Sequence, residues 1–172
     1  MTTAMPENYA QQPQYQQSTA VIRSVGRCIL LLIVSGGLWS FAWMYHTTKE
    51  VSSRVNQPPP NPTLRSVLMI IPIVNYVMMY LAWNDIEKYT QAARSRSFST
   101  VLFFVLTLVL PFVALYTYPT VQSRMNEAHM AATNGQATTA PLETIDKVLV
   151  GIGAAFWILY LLIAIVVIAA NA

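Results

Sequence analysis

The stretch "SGGLWSFAWMYHTTKE", from Ser35 to Glu50, decides how this chain is read. Two adjacent glycines and a group of aromatic residues lead to Lys49 and Glu50, where charge returns. Upstream lies the continuous apolar run "CILLLIV", and no charge separates Arg27 from Lys49. A helix crosses a bilayer in about 20 apolar residues. Read as one helix from Val25 to Tyr45, the stretch is the point where a membrane span reaches water.

Working outward, three further runs meet the same length criterion. They extend from about Ser66 to Trp83, from Ser99 to Tyr118 and from Val148 to Ala169. Their apolar residues are continuous, as in "VLFFVLTLVL", whereas barrel strands would alternate polar and apolar positions. The expected fold class is therefore all-α, an integral membrane protein with four transmembrane helices. Residues 1–22 form a polar Gln/Pro/Tyr-rich segment with too little apolar mass to fold, and read as a disordered tail. Residues 23–134 hold three helices with solvated extensions, and 135–172 a linker and the fourth helix.

Composition agrees with a lipid solvent. The chain is 55% hydrophobic and 10% charged, against about 25% charged in ordinary soluble domains. The net charge of +3 sits beside the apolar blocks, where basic residues meet anionic headgroups. No dense basic face with interleaved aromatics exists, which excludes nucleic-acid partners. Cys28 is the only cysteine, so no intramolecular disulfide can form. Beside Arg27 it reads as a small apolar helix residue. The polar N-terminus lacks the pattern of a cleavable signal peptide, which leaves targeting to the first apolar span.

The connections carry breakers and caps. "NQPPPNPT" is an extended linker with Thr63 as a cap for the second helix. Ser97 or Ser99 suits the third helix, and Pro141 with Glu143 and Asp146 suits the N-terminal turn of the fourth.

The first three runs share a weak repeat: a breaker (Gly36-Gly37, Pro72, Pro111), an aromatic (Trp39, Tyr76, Tyr116) and an acid (Glu50, Glu87, Glu127). If the breakers were turns, each unit would enter the membrane and return to the same face. Re-entrant backbone must be buried in protein or face water, and a small chain offers little burial. Four crossings is thus the expectation. Under it the basic residues divide evenly, with Arg23, Arg27, Lys88, Arg94 and Arg96 on one side and Lys49, Arg54, Arg65, Arg124 and Lys147 on the other. Only the position of Arg23 and Arg27 beside the first helix favours a cytoplasmic N-terminus.

Trp43, Tyr45, Tyr80, Trp83 and Tyr118 read as membrane-interface anchors, because amphipathic rings favour the headgroup zone. Gly36 with Ser40, and Gly151 with Ala155, are small residues four apart that suit close helix packing. Asn75 reads as an interhelical hydrogen-bonding amide. Trp157 and Tyr160 fall near the middle of the fourth span and are expected to face other helices. His46 and Glu50 are four apart, but a metal site needs three or four ligands and only distant His129 adds an imidazole. No metal or cofactor is expected. Glu50, Glu87 and Glu127 read as exposed ion pairs with Lys49, Lys88 and Arg124. No span contains a buried charge of the kind ion-coupled transport uses, and no nucleophile–base pairing or phosphate-binding loop is visible.

Arg23, the "LLLIVS" run, Gly37, Trp39, Trp43 and the Lys49-Glu50 pair together resemble a bacterial family of small multi-pass membrane proteins, domain-of-unknown-function family 4234. The likeness covers about residues 23 to 95, with "GLW" here where that family more often has "GIY". It implies a bacterial plasma-membrane location and carries no catalytic residues. The expected function is a non-enzymatic structural or interaction protein of the cell membrane. Its partners would be the bilayer and a second copy or another membrane protein. The second reading is a small transporter or channel component with Asn75, Ser35, Ser40 and Thr107 as a polar lining.

Overall fold

Gly36 and Gly37 reverse the chain instead of passing it through a span. The computed structural model describes residues 20–171. Helix α1, Val25–Val34, stops at Ser35. Gly36 (φ +59°) and Gly37 (φ +89°) then adopt left-handed backbone, which costs glycine nothing. The Gly37 amide reaches back to the Leu32 carbonyl at 2.7 Å, a Schellman-type stop. Helix α2, Trp39–Thr47, runs back beside α1 and continues through a π-helical turn, Thr48–Ser52, into α3, Ser53–Val55. Arg23 and Glu50, 27 positions apart, consequently meet at 2.6 Å.

The same event happens twice more. Helix α4, Pro62–Leu68, is capped by Asn61, whose side chain accepts from the Leu64 amide at 3.0 Å. Thr63, expected as the cap, is inside the helix because Pro62 already occupies its first turn. After a tight turn at Met69–Ile71, Pro72 opens α5, Pro72–Ala92. Arg65 reaches Asp85 at 2.7 Å across this second hairpin. Helix α6, Thr100–Val109, is capped by Ser99. It breaks at Leu110 and a 3-10 turn, Pro111–Val113, before α7, Ala114–Ala132. Thr107 and Thr117 lie 3.0 Å apart; ten residues along an unbroken helix would separate them by about 15 Å.

These reversals correct the expectation of four transmembrane helices. The fold is all-α in its architecture, but among the described residues only α8, Thr144–Ala170, is long and apolar enough to cross a membrane. The runs expected at 25–45, 66–83 and 99–118 are helical hairpins, since each breaker is a turn. Their short arms have 10, 7 and 10 residues, or about 10–15 Å of helix. Ala20–Ile22, expected in the tail, are ordered: Val21–Ile22 (β1) pairs in parallel with Thr138–Thr139 (β2). The rest of that tail lies outside the described residues.

The hairpins stand side by side with their open ends together. Tyr118 of α7 packs edge-on against Trp43 of α2 and Trp83 of α5, joining all three. Their tips are bare: Ile33, Ile70, Ile73, Val109, Phe112 and Leu115 are all exposed. Helix α8 touches the first hairpin along its early turns and is bare thereafter, with only 6% of its apolar window buried. The contact turns on Gly153, where a Cβ would overlap the Ser35 backbone, and on Trp157, whose indole N–H donates to the Ile33 carbonyl at 3.1 Å.

Gly153→Leu is expected to push α8 off the first hairpin and cost about 1–3 kcal/mol, the usual penalty of overpacking. Gly151→Leu, where nothing lies within 4 Å of the added Cβ, is expected to be neutral. Thermal unfolding of the two purified variants in detergent compares them; equal losses would remove this account of the joint.

Candidate functional site

Beneath the apolar tips, the open ends of the hairpins form a polar floor. The π-helical turn at Thr48–Ser52 shapes it. Its extra residue rotates the following side chains, so that Thr48, Val51 and Ser52 are buried while Glu50 turns toward Arg23. Such bulges concentrate at functional positions. The Arg23 guanidinium grips both Glu50 oxygens, at 2.6 and 2.7 Å. Arg23 is 4% exposed and Glu50 14%. Burial works against the charge of Arg23, but the Glu50 hydrogen bond and charge outweigh it and hold the guanidinium above its ordinary pKa.

From this pair a hydrogen-bonded chain crosses to α7. Asn126 donates to the Arg23 carbonyl at 2.7 Å and accepts from its amide at 3.2 Å. Gln122 donates to Asn126 at 3.0 Å and accepts from the Trp43 indole at 2.8 Å. A second centre is Asp85, which accepts from Arg65 at 2.7 Å and Asn56 at 3.0 Å. Arg65 also donates to Ser52 at 2.9 Å. A third joins Arg54, Tyr89 and His129: Arg54 donates to the Tyr89 hydroxyl at 3.2 Å, and that hydroxyl lies 3.0 Å from His129 Nδ1. The buried Nε2 of His129 has no partner among the described residues. Burial, then the charges of Arg54 and Arg23, push His129 down to about 3.

Helix α8 is fastened by a fourth centre. Asp146 accepts from the Trp39 indole at 2.8 Å and lies 3.1 Å from His46 Nε2. It also accepts from the Glu143 amide at 2.8 Å, completing a capping box with Glu143. His46 is therefore a joint between helices. Among the described residues no three His, Cys, Asp or Glu side chains gather as a metal site.

The residues singled out from sequence are redistributed. Trp83 is fully buried, Trp43 nearly so, and Tyr118 is half-buried between them with its hydroxyl on the Met79 sulfur. These three tie hairpin to hairpin, whereas the sequence reading made them interface anchors. Tyr45 and Tyr80 are half-buried, Tyr80 packing edge-on against Phe104. Gly36 makes the first tip, and Ser40 lines an apolar cleft with Cys28, Leu32 and Pro119. Asn75 is half-buried near the second tip. Gly151 and Ala155 are exposed, so the close approach belongs to Gly153, two residues further along than expected. Trp157 does contact another helix, while Tyr160 stacks edge-on against Trp157 and is exposed.

Glu50 and Glu87 also differ from the exposed pairs expected of them. Glu50 binds Arg23 rather than Lys49, and Glu87 accepts from the Thr100 amide at 3.0 Å at the start of α6. Glu127 does pair with Arg124, at 3.1 Å, and also with Arg96, at 3.3 Å. Each hairpin is thus closed at its base by an arginine and an acid: Arg23–Glu50, Arg65–Asp85 and Arg96–Glu127. An arginine just before or within each short arm was the available sequence signal. No family model, curated protein or solved structure matches the chain.

Two outcomes follow from the floor. Arg23→Ala strands the Glu50 carboxylate in a buried setting and is expected to cost about 3–5 kcal/mol, whereas Arg23→Met with Glu50→Met should cost much less. Unfolding of purified variants in detergent checks the difference. For His129 the folded pKa lies below the unfolded value, so the unfolded chain binds the extra proton. Its stabilising contribution is complete above pH 6.5 and falls as pH drops towards 3, by about 1.4 kcal/mol per unit. In His129→Gln that slope should be lost from the pH dependence of stability.

Proposed function

We propose that this is a bacterial plasma-membrane protein that crosses the bilayer once through α8, inserts its three hairpins into one leaflet, and works by association rather than catalysis. The observation that carries this reading is the separation of charge from apolar surface. Nine of the ten Lys and Arg residues belong to the open ends of the hairpins, their linkers or the first turn of α8, and the tenth, Arg65, sits midway along α4 paired with Asp85. The tips and the rest of α8 are uncharged and expose large aliphatic and aromatic side chains. A patch of that kind is costly in water and suits hydrocarbon. The short arms span about 15 Å at most, half of the roughly 30 Å hydrocarbon core, while α8 spans about 40 Å.

This arrangement removes the tie in the basic-residue count. With the hairpins re-entrant, every Lys and Arg lies on one side, which the positive-inside rule makes the cytoplasmic side. Ala20–Ile22 share that side, and α8 leads to the other. Membership of domain-of-unknown-function family 4234 is part of the same proposal; the residues of the likeness form the first hairpin and most of the second. The transporter reading has less support. Ser35 bonds the Leu32 carbonyl and the Trp39 amide, Thr107 pairs with Thr117, and Ser40 faces an apolar cleft, so these polar groups line no common path.

Topology reporters fused after Arg54, Arg94, Asn134 and Ala172 test the reading. The first three are expected on the cytoplasmic side and the fourth opposite. Alternating sides would replace it with four crossings.

A further inference from the structure

Resting on that reading, we infer that the protein is a curvature-selective wedge, whose ligand is a lipid surface that bulges towards the side carrying the polar floor. Count what each leaflet holds. The proximal leaflet contains the six arms α1, α2, α4, α5, α6 and α7 together with the early turns of α8. The distal leaflet contains only the remainder of α8. A helix with its side chains is about 10–12 Å across, so the protein displaces roughly seven times more area in one leaflet than in the other.

Three observations make this a wedge rather than three loose insertions. Tyr118 stands edge-on to both Trp43 and Trp83 and also meets Met79, joining the hairpins. The arms therefore displace lipid as one body. The hairpins stop at half depth because their breakers turn the chain, so no arm compensates in the distal leaflet. Beyond Trp157, which touches Ile33 at the first tip, α8 runs 13 further residues to Ala170, all exposed except the half-buried Ala164. That leg fixes the wedge across the bilayer and adds little width. An inclusion wide on one side and narrow on the other relieves strain where its wide leaflet is stretched, which is the convex face. In the cell the convex face would be cytoplasmic, so the protein should collect where membrane folds inward.

The test uses the full chain in giant vesicles of phosphatidylethanolamine and phosphatidylglycerol, in a Cys28→Ala, Gln91→Cys background. A membrane-impermeant dye then labels only molecules with the polar floor outward. A thin tube pulled outward from such a vesicle is convex on the labelled side. Labelled protein is expected to be several-fold denser in the tube than in the parent vesicle, and denser still as the tube narrows. Equal density in tube and vesicle would overturn the proposal. Ile73→Lys with Leu115→Lys places charge on two exposed tips without entering the packed core. It should withdraw two hairpins from hydrocarbon and bring the ratio towards one, while the reporter after Ala172 still reads the far side. An unchanged ratio in that variant would assign any enrichment to α8 alone and overturn the wedge. Alternating topology reporters would instead defeat the underlying membrane reading, so the two failures are distinguishable.

Discussion

The backbone amides at an apolar hairpin tip have little but the tip itself to bond to, because the aliphatic side chains around them supply no acceptor. The rest of the structure depends on meeting this condition. At the first tip the Gly36 and Gly37 amides return to the Ile33 and Leu32 carbonyls, and the Trp39 amide takes the Ser35 hydroxyl. The Ile33 carbonyl gains a second donor from Trp157. The second tip closes with three successive short-range bonds, from Met69, Ile70 and Ile71. At the third, Leu110 and Val113 bond to Leu106 and Leu110. Short-range bonds of this kind let the chain reverse among apolar side chains within a few residues.

Tight tips place the cost of the fold at the other end. Six helix arms converge on the floor and bring several charges into a poorly hydrated space. Removing ions from water is costly, so each must be paired well. The bidentate Arg23–Glu50 contact and the Arg65–Asp85 contact, extended by Asn56 and Ser52, satisfy that demand. The Arg96–Glu127 pair is more exposed and contributes less. Aromatic N–H groups finish the network, with Trp39 on Asp146 and Trp43 on Gln122. The tryptophans are thus large apolar bodies within the packing and single donors at its polar edge.

Much of this was legible residue by residue. The Ser99 cap, the Glu143–Asp146 turn, the helical class and the long apolar α8 follow from local chemistry that tertiary contacts do not override. The breakers at Gly36-Gly37, Pro72 and Pro111 were visible too, and so was the possibility that they turn the chain. The sequence reading placed a kinked span above a reversal on the ground that a small chain offers little burial, although both present the same apolar composition. The interface reading of Trp43, Trp83 and Tyr118 went the same way: an amphipathic ring suits a headgroup belt and an interhairpin contact equally. Gly151, read from sequence as the packing residue with Ala155, has no neighbour there; the approach of Ser35 falls on Gly153, which the sequence reading did not single out.

The sequence by itself determined that the elements are helices, where they break, and that the last of them is long and apolar enough to cross a membrane. It also confined the charges to the segments between apolar runs. Only the tertiary structure decided that the breaks reverse the chain, since reversal is recognised by contacts across it. Arg23 meets Glu50, Arg65 meets Asp85 and Thr107 meets Thr117 only when the arms lie side by side. Hydrogen bonding within a turn is local and can be guessed from glycine and proline. Which distant side chain waits at the other end of an arm depends on the direction the chain leaves that turn, and composition does not carry that direction.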